Sequence, residues 1–340
     1  MKAFMVYEPH RFGLVEAPMP MIADDEVLVK VRAAAICHSD LDIIEGRRRH
    51  SLKLPVITGH EFSGEIAELG KNVTGLSVGL KVACECIVWC GSCRACLNGE
   101  TSCCENFDEL GTMRSGGFAE YTAVPAKMVH PIKNLSFEEA SNIEPAGNGC
   151  HCAQAAEIRN GDTVVVIGPG PIGLYAMQFA KLYSPGKLIM AGTRENRLAV
   201  AKELGATHTV NIRECDPYEI IMKITGGKGA DRVLQCATTD DAMTLGLRLL
   251  NTNSVMAIEG YGDDEPIQLR FSEFVKKPMC IKGVSGVTEE NYIATIRVAE
   301  EGKIQFKPII THTFSLDDME KALETMTDKS QNAIKIVIKP

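Results

Sequence analysis

The sequence predicts an α/β protein of two domains, one β-rich and barrel-like, the other a doubly wound parallel sheet covered by helices. Its 340 residues exceed what one simple core accommodates. The first half contains short stretches of alternating apolar and polar side chains separated by glycines. From residue 162 onward, β-branched runs alternate with helical patterns. We therefore expect a β-rich domain of residues 1–148 and 286–340, and an α/β domain of residues 149–285.

Composition and charge exclude several classes of protein. Hydrophobic residues make up 45% of the chain and charged residues 24%, which is ordinary for a folded globular protein. A formal net charge of −8 argues against nucleic acid or an anionic membrane as the main partner. No apolar run approaches the length of a membrane span. A small molecule is the expected partner.

Cysteine usage indicates the compartment. Residues 1–7 have strand-like sequence and lack the apolar core and cleavage site of a signal peptide. The thirteen cysteines are therefore expected in a reducing compartment, where regularly spaced cysteines are more often metal ligands than disulfides. We expect a cytoplasmic protein.

The first strand of interest, residues 26–34, alternates apolar and polar side chains and delivers Cys37 at its end. A cysteine in this position is usually a small buried hydrophobe. Ser39 favours a functional interpretation, because a hydroxyl near a metal-activated alcohol can carry its proton away. Cys37 is therefore a candidate metal ligand and Ser39 a candidate proton carrier.

The next candidate is the segment 59–64, which holds His60 and Glu61 between two glycines. An imidazole beside a carboxylate suits a divalent metal, since the carboxylate can bind directly or orient a bound water. By itself such a tripeptide is more often a turn. Glu144, in a largely uncharged stretch of a helix that opens at the capping box of Ser136, is a further candidate ligand or supporting group. The alternative for Glu144 is an exposed helix residue.

Arg47, Arg48 and Arg49 form a basic run in a loop before His60. Such a run is usually a solvated face. The sharper hypothesis is that these arginines attract an anionic group of the substrate, such as a phosphate or carboxylate.

Four cysteines with short spacings follow: Cys90, Cys93, Cys96 and Cys104. Four thiolates can close a tetrahedron around one zinc, and a closed site has a structural role. An iron–sulfur cluster is the alternative for this spacing. The neighbouring Cys103 could replace Cys104.

A glycine-rich turn joins the strand at 162–167 to a helix at 174–182. Its residues are Gly168, Pro169, Gly170, Pro171, Ile172 and Gly173. The first glycine makes the turn, the second lets the backbone approach a pyrophosphate, and the third permits close helix–strand packing. The helix N-terminus then faces the phosphates, which predicts a dinucleotide site.

The strand at 187–191 ends in Gly192, Thr193 and Arg194, where an NAD site would carry an acidic residue for the ribose hydroxyls. A glycine makes room for a 2′-phosphate and Arg194 can pair with it, so NADP(H) is favoured over NAD(H). Glu195 weakens this argument, since its carboxylate is close by.

The remaining pattern alternates strands and helices and then returns to the first domain. The further strands are predicted at 209–211, 231–236, 254–259, 309–314 and 334–338, and the helices at 196–204, 218–224, 240–250 and 289–300.

Together these motifs, in this order, resemble the zinc-containing medium-chain dehydrogenases over essentially the whole chain. Glu144-Pro145 stands where the alcohol dehydrogenases have a cysteine ligand, and is similar to the polyol branch of sorbitol and threonine dehydrogenases. The resemblance implies a GroES-like catalytic domain, a Rossmann coenzyme domain and a homodimer or homotetramer.

The resemblance also implies roles for residues. Cys37, His60 and either Glu61 or Glu144 would bind a catalytic zinc, the four cysteines a structural zinc, and Ser39 would begin a proton relay. Members often carry a histidine three residues after the serine position, where this chain has Asp42. The later part of the relay is therefore not predicted.

The expected activity is zinc-dependent hydride transfer between a secondary alcohol, namely a polyol or sugar alcohol, and NAD(P). A dehydrogenase of a phosphorylated or otherwise anionic polyol is one alternative, and the arginine run would then contact substrate. A metal-free quinone or enoyl reductase and a non-enzymatic nucleotide-sensing protein are others. The presence of Cys37, His60 and the four-cysteine cluster argues against the reductase, and the presence of Cys37, Ser39 and His60 argues against the non-enzymatic protein.

Overall fold

Two separate stretches of the chain form the first structural unit. The structure, a computed structural model, describes residues 1–48, 51–260 and 271–340. Within these residues the first unit comprises Met1–Glu144 and Thr288–Pro340, and the second comprises Pro145–Val287. The second domain expected from the sequence falls inside the second unit, whose edges lie slightly further out.

Strands and helices follow the order that the sequence predicts. The strands are β1 (Lys2–Glu8), β2 (Arg11–Glu16), β3 (Glu26–Ala35), β4 (Val56–Ile57), β5 (Glu61–Leu69), β6 (Lys81–Cys84), β7 (Ile87–Val88), β8 (Asp108–Glu109), β9 (Tyr121–Pro125), β10 (Val129–Pro131), β11 (Thr163–Ile167), β12 (Lys187–Gly192), β13 (His208–Asn211), β14 (Ala230–Gln235), β15 (Leu250–Ile258), β16 (Met279–Gly283), β17 (Ile310–Ser315) and β18 (Lys335–Lys339). The helices are α1 (His38–Ile44), α2 (Arg94–Leu97), α3 (Phe137–Ala140), α4 (Ile143–Ala155), α5 (Pro171–Leu182), α6 (Glu195–Leu204), α7 (Pro217–Ile224), α8 (Asp240–Leu249), α9 (Phe271–Lys276), α10 (Glu289–Glu300) and α11 (Met319–Thr327).

The first unit is organised around β3. Its main sheet has the strand order β10-β6-β5-β3-β18-β17, with β9 also paired to β3, and a smaller sheet has the order β2-β1-β4. β3 is antiparallel to both β5 and β18, so that Ala35 faces Glu61 on one side and Val337 on the other. The end of β3 therefore lies beside the beginnings of β5 and β18. Phe62 on β5 packs into the buried core.

The second unit is a parallel sheet of order β13-β12-β11-β14-β15-β16. Each pair along this order is parallel. Chain connection reverses direction beside β11, which is the Rossmann arrangement and its switch point for ligands. From Val164 to Ile167 β11 is buried, as expected for a strand covered on both faces. The two units thus match the predicted combination of a β-rich, GroES-like domain and a Rossmann domain.

Two local features differ from the prediction. The helix expected to run from Ser136 past Glu144 is two helices, α3 and α4. Ser141 and Asn142 each donate a side-chain hydrogen bond to the carbonyl oxygen of Glu138, and such bonds compete with the next helical turn. The helix α1, directly after Cys37, was not predicted, because cysteine is not a preferred N-cap residue.

None of the described helices has the length and apolar character required of a membrane span.

Candidate metal and nucleotide sites

Cys37, His60 and Glu61 lie together in the first unit, where β3 ends and the neighbouring strand β5 begins. Cys37 follows β3 and caps α1, while His60 and Glu61 stand at the beginning of β5. The antiparallel pairing of these strands makes the end of one adjoin the start of the other. One ligand atom from each residue lies within 4.8 Å of the other two. A set of one sulfur, one nitrogen and one oxygen fits zinc.

The electrostatics of this cluster favour a cation. His60 is 5% exposed and Glu61 is 1% exposed. Burial by itself lowers the pKa of His60, but the Cys37 thiolate, and after it Asp40 and Glu144, outweigh burial and hold the pKa well above its ordinary value. Several buried anionic groups around one imidazole are costly unless a positive charge compensates them. A divalent metal bound here would supply such a charge, in addition to that of the buried Lys335.

Asp40 is hydrogen-bonded to the segments that carry Cys37 and His60. The sequence analysis assigned it no role. It is fully buried and accepts hydrogen bonds from the backbone N–H of Cys37 at 2.9 Å and of Gly59 at 3.2 Å. One of its carboxylate oxygens lies 3.8 Å from Nδ1 of His60. Asp40 therefore fixes the two segments that carry Cys37 and His60. Its position three residues after the N-cap was the available signal, since that spacing is typical of a capping box.

Lys335 is the second residue that the sequence analysis missed. Its side chain is buried, and Nζ lies 2.6 Å from Oε1 of Glu61. Nζ also donates to the carbonyl oxygen of Ile36 at 3.1 Å. Burial lowers the pKa of Lys335, but Glu61 and Cys37 outweigh burial and raise it above its ordinary value. The two residues are 274 positions apart, so no local pattern could relate them.

Glu144 lies in the first turn of α4 and is 8% exposed. Its charge raises the pKa values of His60 and of the buried Cys86, so it stands near the cluster. The close group of three ligand atoms nevertheless contains Glu61 and not Glu144. Between these two candidates, Glu61 is therefore the carboxylate grouped with the sulfur and nitrogen ligands.

Ser39 occupies the first turn of α1, two residues after Cys37. Its Oγ is buried and has no hydrogen-bond partner among the described residues. Asp42, which stands where a relay histidine was sought, instead accepts a hydrogen bond of 2.7 Å from Nε of Arg47. The exposed His38 lies 3.9 Å from Asp42. An unbonded hydroxyl at Ser39 suits a group that receives a proton from a ligand.

The four cysteines at 90, 93, 96 and 104 also converge, with their sulfur atoms all within 4.8 Å of one another. Sγ of Cys90 lies 4.0 Å from that of Cys96, and Sγ of Cys93 lies 4.0 Å from that of Cys104. Four sulfurs around a tetrahedral zinc are about 3.8 Å apart, given Zn–S bonds of about 2.3 Å. The exposed Cys103 is outside this group.

Hydrogen-bond donors surround three of these sulfurs, those of Cys90, Cys93 and Cys104, whereas burial raises the pKa of Cys96 to about 12. The N–H of Cys90 donates to the sulfur of Cys104 at 3.3 Å, and the N–H of Glu105 donates to that of Cys93 at 3.5 Å. Hydrogen bonds from the Asn106 side chain, and then from Ser92, lower the pKa of Cys90 to about 5. A thiolate is the form that binds metal.

The arginines of the basic run have carboxylate partners. Arg47 pairs with Asp42 at 2.7 Å. Arg48, with 21% of its side chain exposed, pairs with Glu109 at 2.6 Å. The same oxygen of Glu109 accepts a hydrogen bond from Thr112. Arg49 lies outside the described residues.

The glycine-rich turn has the geometry that a dinucleotide site requires. Gly168 has a φ of +103°, which disfavours any side chain. A Cβ at Gly173 would collide with the carbonyl oxygen of Gly168, whereas a Cβ at Gly170 would meet no atom within 4 Å. Gly170 thus leaves open space before α5, whose first residues are Pro171 and Ile172. The N-terminus of α5 is available to phosphate groups.

At the end of β12, Gly192 is buried, and Thr193 and Arg194 are partly exposed. Arg194 is the N-cap of α6, and Arg197 follows in its first turn. Burial, and then the charge of Arg194, lowers the pKa of Arg197 to about 10, so the two guanidinium groups are neighbours. Glu195 lies 3.2 Å from the side-chain nitrogen of Asn211. Two adjacent guanidinium groups attract an anion.

Comparisons with known proteins identify the family to which the chain belongs. The family described as alcohol dehydrogenase GroES-like domain matches residues 23–134, and the family described as zinc-binding dehydrogenase matches residues 171–301. A sorbitol dehydrogenase of Halalkalibacterium halodurans is 33% identical, with 97% of this chain and 96% of the relative covered. An L-threonine 3-dehydrogenase of Bacillus velezensis is 35% identical, with 96% and 95% covered.

A solved structure has the same fold over the whole chain. A zinc-binding dehydrogenase from Sinorhizobium meliloti 1021, bound to NADP, superimposes with a TM-score of 0.94 at 26% identity, covering 100% of this chain and 99% of the other.

Proposed function

Since this chain belongs to the zinc-containing medium-chain dehydrogenase family, we propose that it interconverts a neutral polyol and the matching ketone, with NADP(H) as the preferred coenzyme. The observation that carries the proposal is the buried group of Cys37, His60 and Glu61, beside the unbonded hydroxyl of Ser39. Zinc, when held there, supplies Lewis-acid polarisation of the substrate oxygen.

The protein's own residues do the rest of the work at that atom. Cys37, His60 and Glu61 would hold the metal, and the buried Glu144, whose charge acts on His60, is a further candidate ligand. Asp40 keeps the two ligand-bearing segments in place. Ser39 would accept the proton of the substrate hydroxyl while its own hydroxyl proton passes on to water, and the bound coenzyme would supply the acceptor for the carbinol hydrogen as hydride.

We assign a second, structural zinc to Cys90, Cys93, Cys96 and Cys104. Sulfur–sulfur distances of 4.0 Å and the N–H donors to sulfur support this assignment. A set of four thiolates leaves no open position for substrate. The cysteines at described positions are free thiols, which also supports a reducing, cytoplasmic location. By the family resemblance we expect a homodimer or homotetramer.

The preference for NADP(H) rests on Gly192 and Arg194, with Arg197 beside them. A relative of similar fold binds NADP. The arginine run supports a neutral substrate, because Arg47 and Arg48 are paired with Asp42 and Glu109 and so have less charge to offer a phosphate.

The test is coenzyme reduction by the purified, zinc-loaded protein. NADP and NAD are compared against neutral polyols, polyol monophosphates and L-threonine, the last because of the named relative. Turnover of a neutral polyol with NADP supports the proposal. Turnover of a monophosphate but not its parent, or of L-threonine alone, contradicts the substrate class.

A pair of variants tests the metal site. Cys37→Ala should lose at least about 10³-fold in turnover while NADP binding, followed by fluorescence, stays within a few-fold. Cys280→Ala, at an exposed position, is the matched control and should keep full activity. Full activity of Cys37→Ala would overturn the assignment.

A further inference from the structure

We propose that Pro169 is a coenzyme-specificity residue. Its ring fills the space beside Gly192 and so excludes from position 192 the carboxylate side chain that would bind an adenosine ribose. The proposal deepens the proposed function and rests on its assignment of a nucleotide to this turn. It concerns a residue of the turn that the motif itself leaves unspecified.

The contact between the two residues is steric. A Cβ built on Gly192 would lie closer than 3 Å to Cδ and Cγ of the Pro169 ring, a separation that real Cβ atoms essentially never show. The Cβ of Pro169, in contrast, would be 3.6 Å away, an ordinary van der Waals contact. Only the outer ring atoms of the proline therefore fill the space.

The surrounding backbone cannot move to make room. The carbonyl oxygen of Gly192 accepts from the N–H of Ile212 at 2.9 Å, and that of Ala191 accepts from the N–H of Gly168 at 2.9 Å. Gly168 in turn lies against the backbone of Cys236 and Ala237. Both sides of the contact are thus anchored to neighbouring strands.

The proline ring cannot turn aside either. A long side chain could swing to another rotamer, but the pyrrolidine ring is bonded to its own backbone nitrogen. Any side chain at position 192 must displace this ring. An aspartate that holds the ribose hydroxyls is excluded at 192 for this reason, and not only because the position happens to be glycine.

The consequence is a coupling between positions 169 and 192. Gly192→Asp by itself should fail to create an NAD site, whereas Gly192→Asp with Pro169→Ala should succeed, since alanine keeps the compatible Cβ and loses the outer ring atoms. The side chains left to contact the ribose edge in the natural protein are Thr193 and Arg194.

The experiment is a double-variant cycle with two readouts. Thermal unfolding of the coenzyme-free protein should show Gly192→Asp melting about 3–8 °C below the natural protein, and the double variant recovering at least half of that loss. Titration with NAD, followed by calorimetry, should show the double variant binding at least about 10-fold more tightly than Gly192→Asp.

Pro217→Ala is the matched control, because it removes a proline from the first turn of α7 in the same unit. Combined with Gly192→Asp it should recover neither stability nor NAD affinity. If Gly192→Asp proves insoluble, Gly192→Ala with and without Pro169→Ala gives the same coupling in the melting temperature.

The proposal is overturned if Gly192→Asp melts with the natural protein, or if Pro169→Ala brings no recovery. Failure of the proposed function is separate, because it would appear as a preference of the natural enzyme for NAD in turnover. The unfolding cycle is measured without coenzyme and does not depend on that preference.

Discussion

Nζ of Lys335 lies 2.6 Å from Oε1 of Glu61, and both side chains are buried. The lysine therefore provides a counter-charge to a carboxylate that also faces the sulfur and nitrogen ligands of the catalytic cluster. A metal at that cluster would be a second positive charge on the same carboxylate. With a metal bound, the Glu61 carboxylate would face two cations, the fixed Lys335 side chain and the exchangeable metal ion.

Lys335→Met tests this sharing, since methionine has a similar length and no charge. In the metal-free protein the variant leaves a buried carboxylate unpaired, and the free energy of unfolding should fall by about 3–5 kcal/mol. Zinc should restore part of the loss, so the stabilisation by zinc in urea unfolding should be larger in the variant than in the natural protein. Lys339→Met, a half-exposed lysine on the same strand, should change stability by less than about 1 kcal/mol. Equal zinc stabilisation in all three proteins would refute the prediction.

Ser39→Ala should lower kcat about 100-fold or more, because it removes the hydroxyl that receives the substrate proton. NADPH affinity should be unchanged, since the residue lies at the metal cluster in the first unit. Ser39→Thr keeps a hydroxyl and should retain most of the activity. Steady-state kinetics with a coenzyme titration separate the two effects. An alanine variant within three-fold of the natural kcat would exclude this role, given the magnitude expected of such catalysis.

Cys104→Ser should lose one zinc equivalent and lower the melting temperature by about 5 °C or more, because binding energy at such a site is folding energy. Cys103→Ser changes the adjacent, exposed cysteine and should retain both zinc equivalents and the natural melting temperature. Metal analysis by mass spectrometry beside calorimetry is the measurement. Loss of zinc from the Cys103 variant instead would reassign the fourth ligand.

Glu85 gives a prediction for pH. Its side chain is fully buried, and burial raises its pKa above the ordinary value of 4.5 although His130, 3.1 Å away, opposes the shift. The folded protein therefore holds this proton more tightly than the unfolded chain. The associated stability is complete below pH 4.5 and is lost as the pH rises through the raised pKa.

Glu85→Gln, which cannot ionise, should accordingly gain stability relative to the natural protein between pH 5 and pH 8, as judged by urea unfolding at several values across about that range. Zinc dissociation at low pH affects both proteins alike, so the difference isolates Glu85. Glu68→Gln, at an exposed position of β5, should run parallel to the natural protein. If the natural protein instead becomes more stable relative to the Glu85→Gln variant as the pH rises, the pKa of Glu85 is lowered rather than raised by folding.

The fold was predictable because its signals are local. The strand, glycine turn and helix at 163–182 follow one another directly, and Gly173 lies against the carbonyl oxygen of Gly168 within the same motif. The four-cysteine cluster is also nearly local, since its ligands span residues 90–104. The candidate residues Cys37, His60 and Glu61 were found from short motifs and lie together.

What the sequence could not provide is the support around those residues. Asp40 acts through backbone N–H groups on two segments, and Lys335 through a strand pairing that no short pattern encodes. The pairing of Arg48 with Glu109 is similar, because it depends on how the segment after α1 and strand β8 lie beside each other. Partners of this kind are set by tertiary contacts, which motif reasoning does not see.

The position of β18 next to β3 has a consequence for how the protein is made. The 274 residues that separate Glu61 from Lys335 require roughly 15–55 s of translation at ordinary rates. During this time the Glu61 carboxylate, the Cys37 thiol and the His60 imidazole exist without the lysine that later joins them. Lys335 is the last of these four groups to be synthesised, so Glu61 can gain its buried cation only after translation has passed residue 335.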